Sequence, residues 1–99
     1  MAPKVLISDK LSEAAVQIFR DRGIDVDFQP DLGKDKEALA AIIGNYDGLA
    51  IRSATRVTDA ILANATNLKV IARAGIGTDN IDKEAASKKG VIVMNTPFG

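Results

Sequence analysis

The sequence predicts an α/β domain built on a doubly wound, five-stranded parallel sheet. Three observations predict it. Short β-rich runs alternate with stretches of helical spacing along the chain, in the order β-α-β-α-β-α-β-α-β. The last three β-rich runs, GLAIRS, LKVIA and VIVMN, are apolar on both faces, as parallel strands covered by helices on each side must be. The second run, DVDFQ, alternates polar and apolar residues, which suits a half-exposed edge.

KVLIS (4–8) is the first strand. Leu11, Ala14, Ala15, Ile18 and Phe19 then recur at i, i+3, i+4, i+7 and i+8, one face of a helix. Ser12 is its N-cap and Gly23 its stop. DVDFQ (25–29) is the second strand, and Pro30 to Asp35 is a loop. Leu39, Ile42, Ile43 and Tyr46 repeat the helical spacing, with Gly44 weakening the last turn. GLAIRS (48–53) is the third strand. Thr58-Asp59 caps a helix carrying Ile61, Leu62, Ala65 and Leu68, before LKVIA (68–72) forms the fourth strand. Asp82 caps a short helix ending near Gly90, VIVMN (91–95) is the fifth strand, and Pro97 ends it.

Right-handed crossovers reduce the topologies to a doubly wound sheet, and the five-strand solution is the flavodoxin-like (Rossmann-like) order 2-1-3-4-5. That order puts the alternating second strand at an edge. A complete domain of this kind has a fifth helix, which is lacking here. Part of one sheet face is therefore expected to be bare, to be covered by a further segment or by a partner chain.

Ninety-nine residues make one domain, 1–99. The 46% hydrophobic and 26% charged fractions are those of a soluble globular protein. Thirteen basic residues balance thirteen acidic ones, which argues against a nucleic-acid or membrane-surface binder while allowing a small local anion site. There is no cysteine, hence no disulfide framework and no thiolate metal site. There is no histidine, which excludes a Ser-His-Asp triad and a histidine metal cluster. The start, MAPKVLISDK, is neither a signal peptide nor a membrane span, and the cytoplasm is the expected compartment.

Ligands of doubly wound sheets bind beyond the carboxyl ends of the strands. Those exits are Ser8-Asp9-Lys10, Gln29-Pro30, Arg52-Ser53-Ala54-Thr55-Arg56, Arg73-Ala74-Gly75-Ile76-Gly77 and Asn95-Thr96-Pro97. Two resemble each other: IRSATRVTDAI and ARAGIGTDNID both run strand, arginine, small residues, Thr-Asp and isoleucine. Neighbouring strands lie about 5 Å apart, so Arg52 and Arg73 are expected side by side at one rim. Two guanidinium groups there repel unless an anion or acid stands between them. Arginine suits bidentate contact with a carboxylate or phosphate. The alternative is a solvated pair, or pairing with Asp59 or Asp79. The glycines favour the anion, because backbone amides at Gly75 to Gly77 can approach one closely. A dinucleotide fingerprint is a poor match: Asn80 stands where the third glycine belongs, and the run follows strand four rather than strand one. A flavin loop is not SDKLSE. A phosphorylated receiver needs Asp and Lys where Arg52-Ser53 and Asn95-Thr96 stand.

KVLISDKLSEAA, DGLAIRSATRVTDAIL and LKVIARAGIGTDNIDKEAASKKGVIVMNTPFG together resemble the amino-terminal part of the D-3-phosphoglycerate dehydrogenase family, within the NAD-dependent D-2-hydroxyacid dehydrogenases. RSAT, RAGIGTDNID and GVIVMNTP carry most of the specificity. The resemblance implies a partial substrate-binding domain, whose nucleotide-binding domain and catalytic Arg, Glu and His would lie beyond these residues. It implies that Arg52, Ser53 and Arg73 line the substrate-phosphate side of a cleft. The turn Ala74-Gly75 would meet the substrate carboxylate, Ile76 would touch the nicotinamide, and Arg56 would assist. Asn95-Thr96-Pro97 would be a hinge. It further implies NAD in the parent enzyme but none bound to this chain, no catalytic residue here, and a small anionic substrate carrying phosphate and carboxylate. The bare face adds an expected homo-oligomer.

Overall fold

The computed structural model describes residues 3–10, 13–52, 55–74 and 80–96. Five strands, Lys4–Ile7 (β1), Asp25–Phe28 (β2), Gly48–Ile51 (β3), Val70–Ala74 (β4) and Ile92–Thr96 (β5), form one parallel sheet in the order β2-β1-β3-β4-β5. This is the expected order, with the alternating strand at one edge. The crossovers carry helices Glu13–Asp21 (α1), Lys36–Ile42 (α2), Asp59–Asn64 (α3) and Lys83–Lys88 (α4).

The helices start and stop where short polar side chains and glycines dictate. The Asp35 carboxylate accepts from the Ala38 amide at 3.1 Å, Thr58 Oγ1 from that of Ile61 at 3.4 Å, and the Asp82 carboxylate from that of Ala85 at 3.0 Å. Past α1 and α4 the chain reverses through Gly23 and Gly90, at φ +77 and +74, conformations that side chains resist. Three details differ from the periodicity. The second helix ends at Ile42, and Ile43–Asn45 tightens into a 3-10 turn, so Tyr46 is buried from outside the helix. The expected loop 30–35 contains a second 3-10 turn, Leu32–Lys34. Leu68 is buried but belongs to neither α3 nor β4, because the chain needs Ala65 to Lys69 to turn back to the sheet. Leu11, Ser12 and Pro97 lie outside the described residues, as does the side chain of Ala15.

The pleat sorts side chains by parity. Leu6, Leu49, Ile51 and Ile71 face one way and pack with Leu39, Ile43, Ile61, Leu62 and Ala86 under α2, α3 and α4. Val5, Ile7 and Ala50 face the other way and pack against Val16 of α1. One helix thus covers a face that five strands present. Beyond its reach Ile92 is 63% and Met94 46% exposed. A groove of about 380 Å³ runs there between Ile18, Phe19, Ile24, Val70, Ala72 and Met94. The bare face expected from the helix count is present. Among the described residues, no helix is long and apolar enough to cross a membrane.

At the far edge, Tyr46 donates its hydroxyl hydrogen to the Asp27 carboxylate, which also accepts from Gln29 Nε2 at 2.9 Å. The Lys4 ammonium stands 5.5 Å from the centre of the Tyr46 ring. This ties β2 to the main core. Burial, then the hydrogen bond and negative charge of Asp27, then the charge of Asp25, raise the Tyr46 phenol to about 12. A raised phenol pKa means that the fold favours the neutral form. Its contribution to stability is therefore full below pH 10 and is lost as pH rises through about 12. Urea midpoints measured across that window should fall more steeply for the native chain than for Tyr46→Phe. Parallel curves would show that Tyr46 does not carry the dependence.

Candidate functional site

The carboxyl rim of the sheet holds three polar side chains with almost no solvent contact: Ser8 and Thr55 at 0% and Asp9 at 1% exposure. Asp9 follows β1 directly. Its Oδ2 accepts from the Arg52 amide at 2.6 Å and the Thr55 amide at 3.0 Å, and its Oδ1 accepts from the Thr55 hydroxyl at 2.8 Å. The Ser8 and Thr55 hydroxyl oxygens are 2.7 Å apart. Because Thr55 gives its single hydrogen to the carboxylate, Ser8 is the donor between them. A buried carboxylate is costly unless its lone pairs are filled, and here three donors fill them. The 3-10 turn Leu32–Lys34 closes over this cluster, with the Gly33 amide donating to the Ser8 carbonyl at 2.8 Å. A Cβ on Gly33 would overlap Thr55 Oγ1 and stand 2.5 Å from Asp9 Oδ1 and 2.9 Å from the Ser8 carbonyl oxygen.

Asn80 makes a second junction. Its Nδ2 donates to the Arg52 carbonyl at 2.6 Å and the Thr55 carbonyl at 2.7 Å, while its Oδ1 accepts from Arg73 Nε at 2.9 Å. Beside it the chains following β3 and β4 pair as a short parallel bridge, Val57 with Ile81. The Val57 amide donates to the Asn80 carbonyl, and the Asp82 amide to the Val57 carbonyl, both at 2.8 Å.

The two arginines do come to neighbouring strand ends. Arg73 is in register with Ile51, so Arg52 lies one step further along the rim. Their side chains are held differently. Arg52 is exposed and its Nη1 donates to the Lys10 carbonyl at 3.3 Å, whereas half-buried Arg73 is oriented by Asn80. These bonds do not run to Asp59, which lines a surface groove with Asp82, Glu84, Lys88 and Lys89. Arg56 is exposed. Ala74 ends β4 opposite Thr96, and Asn95 and Thr96 belong to β5 itself. Ser53, Gly75, Ile76 and Asp79 lie outside the described residues.

The likeness between the two strand exits is real but offset. The shared Thr-Asp pattern matches Thr58-Asp59 with Thr78-Asp79. In the structure Thr58 and Asp82 are the equivalent residues, each capping the following helix. Asp9 and Asn80 were not legible as site residues. A carboxylate after an apolar strand is a weak signal when its partners lie 43 and 46 residues away. Asn80 stands out in the sequence only as a misfit to a glycine pattern.

Among the described residues, the rim offers the guanidinium groups of Arg52 and Arg73 as donors. The amides of Arg52 and Thr55 are occupied by Asp9, so they are not available to a ligand. Among the described residues, no group of three or more Asp and Glu is placed to hold a metal ion.

The family pattern described as "D-isomer specific 2-hydroxyacid dehydrogenase, catalytic domain" matches residues 5–99. The D-3-phosphoglycerate dehydrogenase of Sus scrofa is 47% identical over 96 residues, 97% of this chain and 18% of that protein. That of Methanocaldococcus jannaschii is 45% identical over 94 residues, 95% of this chain and 17% of that protein. The NAD+-bound 3-phosphoglycerate dehydrogenase of Entamoeba histolytica is similar with a TM-score of 0.84 and 32% identity, over 98% of this chain and 33% of that one. The chain thus spans less than a fifth of the length of the two curated relatives.

The packing over Asp9 makes a direct test. Gly33→Ala should destabilise the chain by about 1–3 kcal/mol or more in urea denaturation, because neither the buried carboxylate nor Thr55 has room to withdraw. Lys34→Ala, on the exposed side of the same turn, should stay within about 0.5 kcal/mol.

Proposed function

The chain belongs to the D-isomer specific 2-hydroxyacid dehydrogenase family, and we propose that it forms one wall of the substrate cleft of an enzyme that oxidises 3-phosphoglycerate to 3-phosphohydroxypyruvate with NAD, the first step of serine synthesis from that substrate. The observation that carries this reading is the pair of arginines held at the rim of β3 and β4, Arg52 and Arg73. A substrate with a phosphate at one end and a carboxylate at the other needs cationic donors at a fixed spacing. Relatives that share nearly all of this chain bear the name of that dehydrogenase. Arg52, Ser53 and Arg73 receive the phosphate side, and the Ala74-Gly75 turn meets the carboxylate.

The dinucleotide fingerprint lacks its third glycine in these residues. Asn80 occupies the place of the third glycine, and its carbonyl and side chain are engaged with Val57, Arg52, Thr55 and Arg73. When bound, NAD would supply the hydride acceptor for oxidation at the substrate's second carbon. The part of these residues is to bind and orient the anion, with Ile76 as the contact toward the nicotinamide.

Titrating 3-phosphoglycerate into the 15N-labelled 99-residue chain should shift the amides of Arg52 and of residues 73–77, and glycerate, without the phosphate, should shift them less. Binding should be weak, because one wall of a cleft is tested alone, and adding NAD should produce no absorbance at the NADH wavelength. Absent shifts would remove the cleft reading, and measurable NAD reduction would refute the assignment of proton transfer to residues outside this chain.

A second reading rests on the bare sheet face. Ile92 and Met94 are exposed beside the groove that Val70 and Ala72 line. The chain would then act as an assembly module in which a second copy covers that face. Sedimentation equilibrium should show a dimer that Met94→Lys weakens; a monomer at high concentration would count against this reading.

A further inference from the structure

We propose that Asn80 is a positioning residue of the cleft: it sets the aim of Arg73 against the loop that carries Arg52, and Asp9 anchors that loop from the opposite side. The inference rests on the cleft reading above and adds to it two residues that do not touch the substrate.

The hydrogen-bond pattern has a specific logic. Arg52 and Thr55 stand on either side of residues 53–54. Both amides are held by the Asp9 carboxylate, at 2.6 and 3.0 Å, and both carbonyls by Asn80 Nδ2, at 2.6 and 2.7 Å. Arg52 and Thr55 are thus fixed on donor and acceptor sides alike. The remaining end of the same amide, Oδ1, accepts from Arg73 Nε at 2.9 Å. Two carbonyls demand the nitrogen end and a guanidinium demands the oxygen end, so the partners determine how the amide is turned. A carboxylate could receive Arg73 but would face two carbonyl oxygens. A hydroxyl has one hydrogen and could not donate to both carbonyls.

Holding the chain together does not require this side chain. The backbone bridge between Val57 and Ile81 already joins the segments after β3 and β4. What the Asn80 side chain adds is a link from the Arg52 carbonyl to the Arg73 guanidinium across neighbouring strands. Two cations that receive one substrate need a fixed separation more than they need additional stability.

The test is a comparison of 3-phosphoglycerate affinity, read by amide shifts, for the native 99-residue chain, Asn80→Ala, Asn80→Asp, Arg73→Ala and the double variant Asn80→Ala with Arg73→Ala. Urea midpoints establish that each is folded, and Asn80→Asp, which retains a partner for Arg73, serves if Asn80→Ala does not fold. Both Asn80 variants should bind about tenfold more weakly than the native chain. Removing Asn80 should cost little further once Arg73 is gone, which a purely structural role would not produce. The Arg73 Nε–H resonance should be protected from exchange in the native chain and lose protection in Asn80→Ala. Undiminished binding by folded Asn80 variants, or additive losses in the double variant, would overturn the positioning role while leaving the cleft reading intact. No binding by the native chain would remove the cleft reading, and this inference with it.

Discussion

The carboxyl rim depends on one buried carboxylate. Asp9 leaves β1 with almost no solvent contact, yet it accepts the two loop amides and a threonine hydroxyl from the far side of β3. An unpaired charge at that depth would be strongly unfavourable, so the amides of Arg52 and Thr55 are held against it. The same requirement reaches back to Gly33, since the turn after β2 can seal the cluster only where no side chain intervenes. Three strand exits are fixed together in this way.

The second constraint is the parity of the pleat. With three helices on one face and one on the other, the sheet buries Leu6, Leu49, Ile51 and Ile71 completely while Ile92 and Met94 remain open. The bare region lies at the β4–β5 side of the domain. The arginines are placed independently of it, by the strand ends and by Asn80. The arginine rim and the exposed apolar face are therefore two features with separate physical origins, one set by polar hydrogen bonds, the other by where the helices lie.

The functional reading draws on both levels. A pair of arginines at adjacent strand ends is a common surface feature. Here the surrounding hydrogen bonds fix it: the amides of Arg52 and Thr55 are already committed to Asp9, and Arg73 is held through Nε. The chain belongs to the D-isomer specific 2-hydroxyacid dehydrogenase family, and the proposal that the rim receives an anionic hydroxy acid starts from that membership.

Local chemistry made much of the architecture readable in one dimension. Apolar periodicity located the five strands and four helices, Thr58 and Asp82 marked two helix starts, and Gly23 and Gly90 marked two ends. These signals act over a few residues and can be read along the chain, together with the strand order that right-handed crossovers allow and the two arginines at neighbouring exits. Tertiary structure alone decided which polar residues matter around those arginines. Asp9 meets Thr55 across 46 positions, and Asn80 reaches Arg52 across 28. It also set the true equivalence of Thr58 with Asp82, four residues from where the repeated Thr-Asp suggests it. Hydrogen bonds of this kind depend on distances that exist only once the sheet has brought its strand ends together, and no local pattern encodes them.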